Sequence, residues 1–222
     1  MVVNRKKTQI MSFNFRKTLD FPPEMSIAGA GADYLDVVRH TKLLGIVVSD
    51  DLKWDLHVNF MCKKAAAKIW LLRRMRTLNL DREIMVDFYL KEVRSVLEFG
   101  VACWHSGLTI KLSDQIERVQ KICVNVILCD NEWEIPYQTG CTLLGIEPLS
   151  LRRKELCIRF IQKCSQNPLH SDLFTLCQDV NTRQDKQLYR EFTARRDRYY
   201  NSPLCYLTRL LNSNPVKGCP RK

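Results

Sequence analysis

Asp50 and Asp51 form the only pair of adjacent carboxylates in the chain, and they follow an apolar, β-branched run, Lys42-Leu43-Leu44-Gly45-Ile46-Val47-Val48. A carboxylate doublet after a strand is how polymerases hold two Mg²⁺ ions. Here no aromatic residue precedes the doublet at the needed spacing, and no third carboxylate ligand is apparent, so Ser49-Asp50-Asp51 reads as a turn. Cys103-Trp104-His105 brings a thiol and an imidazole close in sequence. A nucleophilic cysteine needs a lowered pKa and a third group to orient its histidine, and neither is evident. Structural zinc asks for paired Cys or His at C-x₂-C-like spacing, whereas the closest pairs are Cys123 with Cys129 and Cys157 with Cys164. His40, His57, His105 and His170 are scattered. His170-Ser171-Asp172 has the spacing of part of an iron facial triad, but no second histidine follows it. Gly29-Ala30-Gly31-Ala32-Asp33 lacks the strand–helix setting of a nucleotide loop and reads as a hairpin turn. The expectation is no catalytic residue, no metal and no cofactor.

The stronger signal is positive charge. The formal net charge is +11 and the pI about 9.3, which points to a polyanionic partner. Lys63, Lys64, Lys68, Arg73, Arg74 and Arg76 cluster on one helical stretch beside an apolar stripe. Such a side can hold phosphates without reading bases. Trp70 lies among them and can stack or cover a core edge. The competing reading is a merely solvated helix face. The ten cysteines include Cys62, Cys123, Cys157 and Cys164 at apolar helical positions, where they act as small hydrophobes. Met1 leads into Asn4-Arg5-Lys6-Lys7 without an apolar signal region. A reducing, intracellular setting is therefore expected, nuclear or cytoplasmic. No apolar run approaches the roughly 20 residues of a membrane span.

The elements that must position these residues change character along the chain. Thr8 to Phe13 is a strand candidate, ended by Pro22-Pro23. Ser26-Ile27-Ala28 and Tyr34 to Val38 suggest a hairpin, and Lys42 to Val48 another strand. From Trp54 the period becomes helical, with Val58, Met61, Cys62, Ala65, Ile69, Leu72 and Met75 inward. Asn79-Leu80-Asp81 breaks that helix. A second helix, with Ile84, Phe88, Val93, Val96 and Leu97 inward, ends near Gly100. A third covers about Leu112 to Leu128, with Ile116, Val119, Ile122, Cys123, Val126 and Ile127 inward. A short helical turn starts at Pro136. The last long helix runs from Leu149 to Gln166, with Leu151, Leu156, Ile158, Phe160 and Ile161 apolar and Arg152, Arg153, Lys154, Arg159 and Lys163 polar. Beyond Asn181 the chain is polar as far as Pro203 to Leu207, and Val216 to Lys222 looks frayed.

Taken in order, these segments resemble a family. Asn4-Arg5-Lys6-Lys7-Thr8 is similar to the N-x-x-K-T segment that follows the catalytic aspartates of non-LTR retrotransposon reverse transcriptases. Lys42 to Val58, with Leu44, Gly45, Leu52, Trp54 and His57, resembles their K-x-L-G…L-x-W-x-x-H segment. Leu97-Glu98-Phe99-Gly100 with Trp104, Ile116 to Lys121, Leu143 to Leu149 with Arg152-Arg153, Ser202-Pro203-Leu204 and Arg209 to Asn212 resemble successive later motifs. The resemblance spans nearly the whole chain. It implies a primer-grip-like turn at Leu44 and Gly45, a thumb beginning with the lysine-rich helix, and RNA or an RNA–DNA duplex as partner. It also implies that the metal-binding aspartates, the fingers and most of the palm lie upstream of Asn4, so these residues alone are not expected to polymerise. The first hundred or so residues also resemble chains labelled as the N-terminal domain of an AlkB homologue, a tRNA-modifying methyltransferase and dioxygenase. The residues give that chemistry no ligand triad and no cofactor loop.

The expected fold is mainly α with a small N-terminal β-hairpin part: a β-rich palm remnant over 1–56, a helical thumb-like bundle over 57–178 and a polar tail over 179–222. The expected function is sequence-independent nucleic-acid binding without catalysis. The alternatives are an AlkB-type modification domain and a helical protein-interaction module that exposes apolar surface.

Overall fold

In the computed structural model, which describes residues 8–13, 24–26, 34–128, 135–174 and 189–214, the chain is mainly helical, with short antiparallel strand pairs near the N-terminus. It divides into two compact units, Met1–Phe60 and Met61–Lys222. Asn4 to Lys7, Gly29 to Asp33 and Val216 to Lys222 lie outside the described residues.

In the first unit, β1 (Glu24–Ser26) pairs with β2 (Tyr34–Asp36), and β3 (His40–Leu43) with β4 (Ile46–Ser49). Register His40↔Ser49 and Leu43↔Ile46 leaves a two-residue loop, Leu44-Gly45. Both loop residues have positive φ, 48° and 90°, as a type I′ turn requires. Gly45 adopts this without cost, whereas Leu44 does not. The expected strand over Thr8 to Phe13 is not formed. Ile10 makes a single parallel bridge to Val37, donating to the Asp36 carbonyl at 3.2 Å and accepting from Val38 N–H at 2.8 Å. After β4, Asp51 Oδ1 accepts the Lys53 N–H at 3.0 Å and lies 2.7 Å from Ser49 Oγ, closing an Asx-type turn. His57 is buried, and its Nδ1 accepts the Val47 N–H at 3.3 Å, tying the helix start to β4.

Helix α1 (Asp55–Thr77) begins in this unit and continues into the second. Val58, Met61, Cys62, Ala65, Ile69 and Leu72 are buried, the three-and-four spacing of one helix side. It stops in a Schellman motif. Asn79 takes φ 52°, Asn79 N–H bonds Arg76 O at 2.9 Å and Leu80 N–H bonds Met75 O at 3.2 Å.

The next run comprises α2 (Arg82–Phe88), a π-helical segment (Tyr89–Arg94) and α3 (Ser95–Glu98), followed after Gly100 (φ 62°) by α4 (Val101–Trp104). Met85, Tyr89, Val93, Leu97 and Val101 are buried, a spacing of four throughout. A 3.6-residue helix would carry that series steadily round its axis. The wider π turn holds it on one side. Val93 and Leu97 are buried as expected, while at the start of the run Ile84 is exposed, and Met85 and Tyr89 take the inward positions.

In α5 (Ile110–Leu128), Ile116, Val119, Cys123 and Ile127 are buried as expected, together with Leu112, Gln120 and Val124, while Ile122 sits at the surface. Helix α6 (Tyr137–Leu143) packs on α5. Gly140 permits this contact, because a Cβ there would meet Val124 Cγ1 at 2.7 Å. A second Schellman motif ends α6, with Gly145 at φ 64° and Ile146 N–H on Cys141 O at 2.9 Å. Helix α7 (Leu149–Ser165) buries Leu149, Arg153, Cys157 and Ile161 and packs on α4 and α5. Leu151 and Phe160, from the apolar set of this helix, are exposed. The polar tail contains more structure than expected: α8 (Asp197–Tyr200) is followed by α9 (Pro203–Ser213), which packs on α7 and buries Leu207 and Leu211.

Polar residues from separate segments join these helices. Gln120 accepts from Tyr89 Oη at 2.6 Å and donates to the Glu147 carbonyl at 3.0 Å. Glu117 accepts from Tyr137 Oη at 2.5 Å and from the N–H groups of Leu149 and Ser150 at 3.0 and 3.1 Å, so it caps the start of α7 from another helix. Glu98 accepts from Arg152 Nε at 2.6 Å, with Arg94 Nε 3.6 Å from the same oxygen. Arg153, expected on a polar face, is 1% exposed and donates to Ser113 Oγ at 2.6 Å. Trp104 is fully buried and donates to Phe99 O at 2.9 Å.

Candidate nucleic-acid interface

Within the second unit, Lys63, Lys64, Ala67, Trp70, Leu71 and Arg74 are all exposed on α1. At 3.6 residues per turn they fall within about 120° of the helix circumference, opposite Ala65 and Leu72. The stretch from Lys63 to Arg74 runs about 16 Å along the axis. No carboxylate among the described residues pairs with Lys63, Lys64 or Arg74 within 4 Å. Trp70 is 65% exposed, midway along this stretch and at one edge of the arc, within about 40° of Lys63 and Arg74.

The other three basic residues named from the sequence are placed differently. Lys68 turns toward the π-helical segment and pairs with Glu92. Arg73 sits at the edge of the exposed side, and its charge reaches the Cys123 thiol on α5. Arg76 is half-buried and engaged within the fold. Sequence spacing thus named six cations on one helix, and three of them share an outward side with Trp70. Spacing signals only part of the difference. Arg76 falls on the inward side, whereas Lys68 is four residues from Lys64 and three from Leu71, and its pairing with Glu92 on another segment is not visible in the spacing.

In the first unit, Leu44 is 88% exposed at the tip of the β3–β4 hairpin. A leucine held at positive φ costs about 1–2 kcal/mol and is a local outlier of the kind that clusters at binding sites. Near the strand ends lies a cleft of about 290 Å³ lined by Arg39, His40, Ser49, Asp50, Asp51 and Lys53, among others. Burial pulls the Asp51 carboxyl upward, but hydrogen bonds from Ser49 and Lys53 and the Lys53 charge outweigh it and hold the group below its ordinary value. Both partners belong to the turn, so Asp51 serves the backbone.

Burial disfavours the thiolate at several of the described cysteines. Burial pushes Cys62 up to about 11, and Cys123 and Cys157 up to about 12. Cys103 is exposed, yet its thiol is also raised. His105 is pushed down to about 4 by burial and by the charges of Arg153 and Lys154, and its ring stands edge-on to Tyr206. His170 lies on a 3₁₀ turn, and the side chain of Asp172 is outside the described residues. Among the described residues, no three His, Cys, Asp or Glu side chains converge as metal ligands, and no helix is long and apolar enough to cross a membrane. No protein-family model, no curated protein and no solved structure matches the chain.

Proposed function

We propose that this chain is a non-catalytic, reverse-transcriptase-like segment of the non-LTR retrotransposon kind, which holds RNA or an RNA–DNA duplex by its backbone without reading sequence. The observation that carries this reading is the outward side of α1, where Lys63, Lys64 and Arg74 stand without carboxylate partners among the described residues. Cations left unpaired on one side are available to neutralise phosphates and release counterions. The net charge of +11 adds long-range attraction. The ordered sequence motifs supply the family part of the reading. On that reading Leu44 and Gly45 would help seat a primer end beside a palm and fingers, and an intracellular place, nuclear or cytoplasmic, suits the partner.

The test is equilibrium binding of the full chain to a blunt RNA–DNA duplex in low salt. The variant K63A/K64A/R74A should lose at least about tenfold in affinity. The control K111A/K121A removes two exposed cations from α5 and should change little. Equal losses in the two variants would mean diffuse charge attraction, and the α1 site would be wrong.

A further inference from the structure

We infer that the outward side of α1 takes an unpaired nucleotide, in RNA or DNA, with a base stacked on Trp70 and the flanking phosphates on Lys63, Lys64 and Arg74. This rests on the nucleic-acid reading above and narrows it. Holding duplex phosphates requires cations alone, and it gives no reason for an indole to face outward between Lys63 and Arg74. The other described tryptophans behave differently: Trp104 is fully buried with its Nε1 bonded to Phe99 O, and Trp54 is half-buried against His57. Trp70 is 65% exposed.

The spacing fits a single strand. Along the axis, Lys63 lies about 10 Å before Trp70 and Arg74 about 6 Å after it. A cation therefore stands on each side of the indole within the reach of neighbouring phosphates. Bases inside a duplex are stacked on one another and offer no free face to a helix surface. An unpaired base offers its π-face whatever its identity, which keeps the binding sequence-tolerant. Every component needed is on one helix, so no rearrangement between segments is required.

The experiment titrates the full chain with a 12-nucleotide oligo(U) RNA, an oligo(dT) of the same length, and a blunt RNA–DNA duplex, reading anisotropy and tryptophan fluorescence. The parent chain, W70F and W70A are compared, with far-UV circular dichroism as the folding control. The inference expects both single strands to quench tryptophan emission. It expects W70A to weaken single-strand binding about tenfold per stacked base, W70F to retain most of the affinity, and duplex binding to be unchanged. Quenching by only one of the two strands supports stacking and names the nucleic acid preferred. Equal effects of W70A on single strand and duplex, or no effect on either, overturn the stacking role. In both of those cases the phosphate reading stands or falls separately, on K63A/K64A/R74A. Self-association that W70A abolishes, with nucleic-acid binding untouched, also overturns the inference in favour of a protein contact.

Discussion

Glu117 is the residue whose removal should damage the helical unit most for its size. Its carboxylate accepts the Tyr137 hydroxyl at 2.5 Å and two N–H groups in the first turn of α7 at 3.0 and 3.1 Å, and it stands 3.9 Å from Arg153 Nη1. In Glu117→Ala, the lost cap is worth about 1 kcal/mol. The charged hydrogen bond to Tyr137 is worth about 1.5 kcal/mol. Arg153, 1% exposed, already has Nε and Nη1 without hydrogen-bond partners among the described residues, and it would keep only Ser113. Its ion pair is long and Glu117 is partly solvated, so about 1 kcal/mol is assigned there, below the usual range for a broken buried pair. The sum is roughly 3–4 kcal/mol. With a urea slope of about 2 kcal/mol/M, the unfolding midpoint should fall by about 1.5–2 M. Glu117→Gln should lose about half as much, since a single amide oxygen can still accept. Adding Arg153→Met to Glu117→Ala should cost less than the two single changes summed, because no orphaned charge remains. A midpoint shift below about 0.3 M, or strict additivity in the double variant, would refute the reasoning.

Four other outcomes are expected. Gly140→Ala should destabilise by about 1–3 kcal/mol in thermal unfolding, since its Cβ would sit 2.7 Å from Val124 Cγ1. Leu44→Asn relieves the positive φ of the hairpin tip and should stabilise the chain by up to about 1 kcal/mol; if the tip seats a primer end, affinity for a primer–template falls at the same time. His105, held near 4 against an ordinary 6.5, stays neutral in the folded chain while the unfolded chain takes up a proton. Its contribution is therefore full above pH 6.5 and is lost as pH falls toward 4; urea midpoints at pH 7.5 and 4.5 should differ less in His105→Gln than in the parent. Alkylation mapped by mass spectrometry should label Cys103 in the native chain, while Cys62, Cys123, Cys141, Cys157 and Cys205 react only on unfolding.

Where burial followed an even three-and-four rhythm, sequence sufficed. The inward side of α1 was legible because Met61, Cys62, Ala65, Ile69 and Leu72 keep that rhythm. In the run from Met85 to Val101, Val93 and Leu97 were legible, but Met85 and Tyr89 were not, because a spacing of four fits neither a helix nor a strand until a π turn is admitted. Burial of Arg153 was hidden for another reason: its partners, Ser113 and Glu117, lie on a different helix, and only tertiary packing joins them. Helix α9 carried a start signal in Ser202-Pro203, but the polar composition around it masked the repeat of Leu207, Leu210 and Leu211. At the candidate site, counting cations pointed to α1. Angular position sets Arg76 on the inward side, but Lys68 is a turn from Lys64 on the same side, and only its tertiary ion pair with Glu92 removes it from the unpaired set. The motifs that carried the family resemblance supplied Glu98, Trp104, Glu117, Gln120, Arg152 and Arg153, and within the fold these side chains make the contacts that join the helices.

The central claim is that phosphates are held by a few cations on one side of α1. Its most direct measurement is the slope of log affinity against log salt for an RNA–DNA duplex, in the parent chain and in K63A/K64A/R74A. Three phosphate contacts predict a parent slope steeper than the variant's by roughly 2–3. Parallel slopes, or binding by the parent that ignores salt, would contradict the account.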